Sequence, residues 1–191
     1  MAERLARRAI DADVRTGLVR IAADTRRAAG ELETIIWSVG PGNNTLDRLA
    51  AYVGRHAQRF FQGTGIDCAV DASGPIPDLT LDAHSQHNLL SVTKEALNNV
   101  LKHAGAASVR VSTGFQGGVF SLAFRDDGVG FVTDAPRDDD ANGLANMRRR
   151  MEEAGGRLEV DSAPGRGTTI SLRLSFSGAL REPRPVPSAV R

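Results

Sequence analysis

The pattern of apolar and polar positions predicts helices along the first half of the chain. Apolar residues recur at helical spacing from Arg15 to Val39, from Leu46 to about Phe61 and from Ala83 to about His103. Each repeat is typical of an amphipathic helix. Asn44-Thr45 precedes the second of these segments and Asp82 precedes the third. Short polar side chains at such positions favour helix N-caps.

In the second half the pattern alternates with a period of two residues, which is typical of strands. Strands are predicted at Ile66–Val70, Ser108–Phe115, Val119–Arg125, Arg157–Ser162 and Thr168–Phe176. Gly117-Gly118 joins the second and third strands into a hairpin, and a further helix is predicted from Leu144 to Ala154. Together these elements predict an α+β domain, with helices packed on one side of a mixed, mostly antiparallel sheet.

The chain divides into three predicted parts. Residues 1–43 form a helical segment, residues 44–176 form the mixed domain, and residues 177–191 form a tail whose three prolines predict disorder. The long apolar stripe of the first segment suits a dimer of N-terminal helices, through which the chain would form a homodimer. A helix that packs on its own domain explains the stripe equally well, and the sequence leaves both alternatives open.

Composition and charge exclude several classes of protein. The 24 basic and 23 acidic residues leave a net charge of +1, so general electrostatic binding to nucleic acid or to an anionic membrane is not expected. No apolar run approaches the roughly 18 residues of a membrane span, and a signal-peptide core is lacking. The single cysteine, Cys68, excludes an intrachain disulfide and a multi-cysteine zinc site. We therefore expect a cytoplasmic protein, or the soluble part of a membrane-attached sensor.

One helix face combines several chemically useful side chains. At about 100° per residue, Glu95, Asn99, Lys102 and His103 fall within one arc. The opposite, apolar side is predicted to hold Leu90, Leu97, Val100, Leu101 and Ala104. A carboxylate, an amide, an ammonium and an imidazole would thus face one direction above a buried stripe, although a solvated helix face has the same mixture in many proteins.

Three glycine-containing segments follow. Asp126-Asp127-Gly128-Val129-Gly130 comes directly after a strand, and its carboxylate beside approachable backbone suits a ligand with an exocyclic amine. Asn142-Gly143-Leu144 enters a helix, where backbone N–H groups attract anions. Gly165-Arg166-Gly167-Thr168 is a tight turn before the last strand. Each segment alone is an ordinary turn; their order and spacing make them informative.

Taken together, the segments resemble the ATP-binding domain of bacterial sensor histidine kinases. This domain has the Bergerat-type fold shared with gyrase and certain chaperones, a two-layer α/β sandwich. The resemblance covers Leu46 to Phe176 and is closest to the subfamily that includes the nitrate sensors. It rests on EALNNVLKHA, DDGVGF, NGLANMRRRMEEAGG and APGRGTTISLRL, four motifs in the family's order.

The resemblance implies roles at the phosphate end of a nucleotide site. Asn99 would ligate Mg²⁺, and Glu95 would orient a metal-bound water or act as general base toward the phosphoacceptor. Lys102 and His103 would neutralise phosphate charge. The backbone of Gly143 and its neighbour Leu144 would donate hydrogen bonds to the phosphates.

At the base end the resemblance implies a separate set. Asp126 would accept a hydrogen bond from the adenine amino group, Gly128 and Gly130 would shape the pocket, and Thr168 would contribute its hydroxyl. Asp127 departs from the family, because asparagine is common at this position and aspartate adds negative charge near the site.

The resemblance also implies an activity, a set of partners and a phosphoacceptor helix. The family transfers the γ-phosphoryl group of ATP to a histidine and then to a response regulator. In the family that histidine is followed by an acidic residue, a pattern absent from His56, His84, His87 and His103. We therefore expect the phosphoacceptor helix to lie outside the chain. A degenerate nucleotide-binding scaffold and an anti-sigma-type serine kinase are the alternative functions.

Overall fold

The computed structural model describes Val14, residues 44–133 and residues 141–176. The chain separates into two compact units, Met1–Pro41 and Gly42–Arg191, and the fold presented below belongs to the second. The helix predicted from residue 15 to residue 39 and the predicted tail lie outside the described residues. The domain boundaries at residues 43 and 176 stay predictions.

Three α-helices form one layer of the second unit. They are α1 (Leu46–Phe61), α2 (Ala83–Asn99) and α3 (Ala141–Glu153), and a π-helix at Val100–Ala104 continues α2. The prediction for α1 is confirmed at both ends. The Asp82 side chain accepts a hydrogen bond from the backbone N–H of Ser85 at 2.8 Å, so its predicted capping role is also confirmed.

The second layer is a five-stranded sheet. Its strands are β1 (Asp67–Ser73), β2 (Ser108–Gln116), β3 (Val119–Asp126), β4 (Gly156–Ser162) and β5 (Thr168–Ser175). Their order across the sheet is β1-β2-β3-β5-β4. The β1–β2 pair is parallel and the other three pairs are antiparallel. The predicted mixed, mostly antiparallel sheet is therefore confirmed, and every strand begins within one residue of its predicted start.

The core lies between the sheet and the helices. Alternate residues of the central strands are buried, whereas Arg110 and Arg125 on the opposite face are exposed, which is the pattern of a sheet covered on one side. The buried strand residues with large apolar side chains are Val109, Val111, Phe120, Leu122, Phe124, Ile170, Leu172 and Leu174. The α+β sandwich is thus confirmed. Among the described helices, none has the length and apolar character that crossing a membrane requires.

The end of α2 differs from the prediction. Leu101 was expected on the buried side, but its side chain is 41% exposed. The cause is the π-helix, whose i→i+5 hydrogen bonds place an extra residue in the turn and shift later side chains around the axis. The expectation for Leu101 was wrong because it assumed 100° per residue through Ala104. Gly105 then ends the helix with a left-handed φ of 57°.

Two other local features also differ. Thr45 occupies the N-cap position of α1, but its hydroxyl donates to the Asp47 carboxylate at 2.6 Å and makes no capping hydrogen bond. Helix α3 begins at Ala141, three residues before the predicted start at Leu144. The glycine segment at its beginning is therefore part of the first helical turn and not a loop that leads into it.

Candidate functional site

A cavity of about 320 Å³ opens between the C-terminal half of α2, the ends of β3 and β5, and the first turn of α3. Glu95, Asn99 and Asp126 all contribute to its wall. Asp126 comes 27 residues after Asn99 along the chain, and the packing of α2 over the sheet brings it to the same cavity as the two helix residues. Three of the predicted site residues therefore share one cavity.

One wall of the cavity comes from α2 and the π-helix. Glu95, Asn99 and His103 line it at intervals of four residues, so a single helix face presents a carboxylate, an amide and an imidazole. Lys102 is exposed and lies outside the lining. The π-helix accounts for this separation, because its wider turn rotates Lys102 relative to its neighbour.

The opposite end of the cavity is built around Asp126. This residue is only 7% exposed, and its Oδ1 accepts hydrogen bonds from the backbone N–H groups of Gly128 at 2.9 Å and Thr168 at 3.2 Å. Burial raises the pKa of the Asp126 carboxyl, and the two backbone donors oppose that rise. Among the described residues these hydrogen bonds both end on Oδ1, so Oδ2 is the oxygen on which a donor group of a ligand can be bound.

The loop that follows Asp126 packs so tightly that side chains are excluded at two positions. A Cβ on Gly128 would lie 2.2 Å from the carbonyl oxygen of Ala104. A Cβ on Gly130 would lie 2.0 Å from the carbonyl oxygen of Ala163, and Gly130 also has a φ of 61°. Gly130 lines the cavity, whereas Gly128 lies outside the lining and packs against Ala104. The two glycines therefore let backbone approach backbone, which fixes the position of the loop.

Backbone hydrogen bonds hold this loop to its neighbours on both sides. The N–H of Val129 donates to Ala104 at 2.8 Å, and the carbonyl of Val129 accepts from Gly165 at 2.6 Å. The glycine loop after β3 is thus fastened to the π-helix and to the β4–β5 turn. These main-chain contacts fix the middle of the loop, and the Asp126 carboxylate accepts a further hydrogen bond from the backbone N–H of Gly128.

Thr168 stands beside Asp126 in the sheet, since the two residues are register partners of β5 and β3. Thr168 lines the cavity, and its hydroxyl lies 3.0 Å from that of Ser162. Sequence reasoning did not single out Ser162. The signal was available, because Ser162 is a polar residue on the strand face that carries Leu158 and Val160.

The first turn of α3 closes the phosphate-side end of the predicted site. Gly143 and Leu144 both line the cavity, and a Cβ on Gly143 would lie 3.0 Å from Oε1 of Glu95. The start of a helix carries unpaired N–H groups and a partial positive charge. An anionic group in this part of the cavity would therefore meet favourable electrostatics.

Asp127 lies outside the lining of this cavity, with its carboxylate against the start of β2. Its Oδ1 accepts from the backbone N–H groups of Ala107 and Ser108, each at 2.9 Å, and its Oδ2 accepts from the Ser108 hydroxyl at 2.7 Å. These bonds lower the pKa of the Asp127 carboxyl. The charge of Asp127 still acts on the site, because it raises the pKa of the neighbouring Asp126 carboxyl, in agreement with the expectation that Asp127 adds negative charge near the site.

The donor chemistry fits a hard divalent cation that shares its coordination with a ligand. Magnesium takes oxygen ligands and keeps several waters or phosphate oxygens. Asn99 and Glu95, one helical turn apart, offer amide and carboxylate oxygens to the same space. Within residues 44–133 and 141–176, three or more His, Cys, Asp or Glu side chains are nowhere grouped to hold a metal ion.

The middle of the cavity is apolar. The sheet contributes Phe124 and Ile170 to its lining, and the helical layer contributes Ala96 and Val100. A flat, weakly polar ring system would fit between these surfaces, with hydrogen-bonding groups at one end and charges at the other. An apolar pocket with few polar groups at its ends is typical of small-molecule sites.

Comparison with known proteins identifies a family that matches this part of the chain. Residues 84–178 match the family described as histidine kinase-, DNA gyrase B-, and HSP90-like ATPase. The chain is 37% identical over 120 residues to the sensor histidine kinase MctS of Rhizobium johnstonii, which is 62% of this chain and 25% of that protein. It is also 37% identical over 106 residues to the nitrate/nitrite sensor protein NarQ of Escherichia coli, 54% of this chain and 18% of that protein.

These relatives are much longer than the matched region, so the chain spans only a quarter or less of each. The nitrate/nitrite sensor is one relative beside others that are named sensor histidine kinases. The comparison therefore supports the class of sensor histidine kinases more strongly than the nitrate-sensor subfamily.

A solved structure shows the same fold. The histidine kinase domain of a blue-light activated histidine kinase from Erythrobacter litoralis superposes with a TM-score of 0.58 at 20% identity, covering 84% of this chain and 83% of that one. By the match over residues 84–178, the chain contains a domain of the histidine kinase-, DNA gyrase B-, and HSP90-like ATPase family.

Proposed function

We propose that the chain binds ATP with Mg²⁺ and transfers the γ-phosphoryl group to a protein histidine, as the catalytic part of a two-component sensor histidine kinase. The observation that carries this proposal is the shared cavity of Asn99, Glu95 and Asp126. Family membership and relatives named sensor histidine kinases support it.

The base end is proposed to hold adenine. An ionised carboxylate only accepts hydrogen bonds, so Asp126 favours a base with an exocyclic amine. The backbone donors at Oδ1 of Asp126 keep the carboxylate in place. The apolar walls of Phe124 and Ile170 would pack against the faces of the ring. Gly130 leaves room for the base beside the loop.

The phosphate end is proposed to hold the triphosphate and its metal. Asn99 would supply a neutral oxygen to Mg²⁺, which when bound draws charge from the phosphate oxygens. His103 lines this end, and the exposed Lys102 on the same turn can reach over it with a flexible four-carbon stem. The amides of Gly143 and Leu144 would donate to phosphate oxygens at the helix start.

Glu95 is proposed to act as a general base toward the incoming imidazole or to orient a water. The attacking nitrogen of the imidazole uses its lone pair, so a carboxylate one turn from Asn99 can accept the proton that the other ring nitrogen releases, or orient a water on the metal. Phosphoryl transfer otherwise needs mainly alignment and charge neutralisation. The side chains described above supply both, so no covalent enzyme intermediate is required.

The phosphoacceptor is proposed to come from a segment that is not part of this sequence. The four histidines of the chain are each followed by alanine, serine or asparagine, and none has the His-acid pattern of the family. A response regulator aspartate would then receive the phosphoryl group. ATP and response regulators are available in the cytoplasm, which we propose as the compartment.

Labelled ATP tests the activity directly. The chain would be incubated with Mg²⁺, γ-labelled ATP and a peptide or chain that carries the family's histidine followed by an acidic residue. Label on that peptide or chain that withstands base and is lost in acid is phosphohistidine and supports the proposal. Acid-stable label identifies a serine kinase instead. ATP binding without any transfer identifies a nucleotide-binding scaffold, and a chain that binds no ATP contradicts the proposal entirely.

A further inference from the structure

Ser162, at the end of β4, makes three hydrogen-bonding contacts. Its Oγ accepts from the backbone N–H of Phe131 at 2.9 Å, donates to the carbonyl of Gly167 at 3.0 Å and lies 3.0 Å from the hydroxyl of Thr168. These contacts join the glycine loop after β3, the β4–β5 turn and the cavity wall. Ser162 itself does not line the cavity.

The protons of this cluster can be assigned by counting. A hydroxyl has one proton to donate and two lone pairs that accept. A carbonyl oxygen cannot donate, so the single proton of Ser162 goes to Gly167. The hydrogen bond between the two hydroxyls must then be donated by Thr168. Because its only proton points to Ser162, Thr168 presents lone pairs alone to the cavity.

This assignment changes what the base end of the cavity can recognise. Asp126, Thr168 and Ser162 are consecutive register partners across β3, β5 and β4. The carboxylate of Asp126 and the hydroxyl of Thr168 therefore stand side by side, and both act as acceptors. A 6-amino purine offers two N–H donors to such a pair. A 6-oxo purine would place its carbonyl oxygen against two acceptors.

We propose that Ser162 is a positioning residue that enforces discrimination between 6-amino and 6-oxo purines by holding the Thr168 hydroxyl as an acceptor. The inference rests on the proposed nucleotide-binding function. It adds a residue that acts through Thr168 without touching the ligand. Removal of the Ser162 hydroxyl frees the Thr168 proton to rotate toward the base, where it can donate to a 6-oxo group.

The test compares affinities for ATP and inosine triphosphate by displacement of an ATP analogue that carries a fluorophore on its ribose. Ser162→Ala is expected to lower the preference for ATP roughly three- to tenfold, the size of one neutral hydrogen bond. Ser162→Thr keeps the hydroxyl and should restore the wild-type preference. Ser171→Ala makes the same chemical change on β5, whose residue 171 faces away from the cavity-lining Thr168 and Ile170, and should leave the preference unaltered.

A double-mutant cycle separates positioning from loop support. In a Thr168→Val background the hydroxyl that Ser162 orients is gone, so adding Ser162→Ala should leave the ATP preference unchanged. An equal drop in both backgrounds, or no drop in the single variant, overturns the inference while ATP binding by the wild type still stands. If the wild type binds no adenine nucleotide, the proposed function fails and this inference fails with it.

Discussion

The two ends of the cavity are built by different means. At the end proposed to hold the base, Asp126 is 7% exposed and its carboxylate is fixed by two backbone N–H groups, while Gly128 and Gly130 hold one loop against its neighbours. At the end proposed to hold the phosphates, the groups are side chains on a helix face, together with the backbone amides at the start of α3. Glu95 and Asn99 are partly exposed.

This difference matches the demands on each end. Selecting a base requires acceptors that do not move, because a fixed acceptor cannot adapt to the wrong partner. Binding phosphates, a metal and an incoming histidine requires groups that can adjust as each arrives. The base end should therefore respond to substitution through stability and specificity, and the phosphate end through metal dependence.

Gly130→Ala should give the largest effect. Its Cβ would lie 2.0 Å from the Ala163 carbonyl at a φ of 61°, which we expect to lower the free energy of unfolding by about 2–4 kcal/mol. Urea unfolding measures this loss. Gly165→Ala is the matched control, because its φ is 74° but nothing lies within 4 Å of the added Cβ. Equal losses in the two variants would show that the loops are not interlocked.

Asp126→Asn should weaken binding of adenine nucleotides by roughly 10- to 100-fold, the range for a hydrogen bond to a charged group. The amide keeps the shape but replaces one acceptor oxygen with a donor. Displacement of the fluorescent ATP analogue measures the affinity. Asp127→Asn is the control, since its carboxylate bonds to Ala107 and Ser108. Equal weakening by both variants would contradict a base site at Asp126.

Asn99→Ala should remove the magnesium-dependent gain in ATP affinity, a loss of roughly 10-fold, and should leave binding in EDTA within about twofold of the wild type. ATP titrations with and without Mg²⁺ give both values. Asn98→Ala is the neighbouring control on α2, since the Asn98 amide donates to the Lys94 carbonyl at 3.0 Å. A variant at Asn99 that keeps its magnesium dependence would remove Asn99 from the metal site.

Replacement of Asp126 or of Asp127 by asparagine should change the free energy of unfolding slightly and in opposite directions. The pKa of Asp126 is raised by burial above its ordinary 3.8. Its contribution to the free energy of unfolding is therefore fully present below pH 3.8 and is lost as pH rises through the raised pKa. The pKa of Asp127 is lowered, chiefly by the Ser108 backbone N–H. The contribution of Asp127 to the free energy of unfolding is present above pH 3.8 and is lost as pH falls through the lowered pKa.

At pH 7, Asp126→Asn is therefore expected to raise the free energy of unfolding slightly, and Asp127→Asn is expected to lower it. Urea unfolding at pH 7 and again at pH 3 checks both signs. The difference between Asp126→Asn and the wild type should shrink at the lower pH. Destabilisation of the same size by both variants at pH 7 would contradict the different environments of the two carboxylates.

The fold was predictable to the extent that it depends on local periodicity. The limits of α1, the β2–β3 hairpin and the Asp82 cap follow from spacing and short-range chemistry alone. The exposure of Leu101 was not predictable in this way, because a π-turn changes the angle per residue without a mark in the apolar repeat. The early start of α3 was missed because Asn142-Gly143 reads as a turn when considered alone.

The site was predictable where function follows from residue type and order. Asn99 and Asp126 were identified from their motifs, and the structure brings both into one cavity. Asp127 and Ser162 depend on contacts between distant segments. The hydrogen bonds of Asp127 to the start of β2, and those of Ser162 to two loops, arise only when the sheet has formed. The sequence shows a polar residue at position 162 on an otherwise apolar strand face, but it does not show which distant segments Ser162 or Asp127 contacts.

The most direct test of the account compares adenosine with Mg²⁺-ATP as ligands for Asp126→Asn and Asn99→Ala. If one cavity holds the base at Asp126 and the metal-bound phosphates at Asn99, Asp126→Asn should weaken both ligands by a similar factor. Asn99→Ala should weaken Mg²⁺-ATP and leave adenosine unchanged. Loss of adenosine binding in Asn99→Ala, or full retention of both ligands in Asp126→Asn, would contradict the division of the cavity into a base end and a phosphate end.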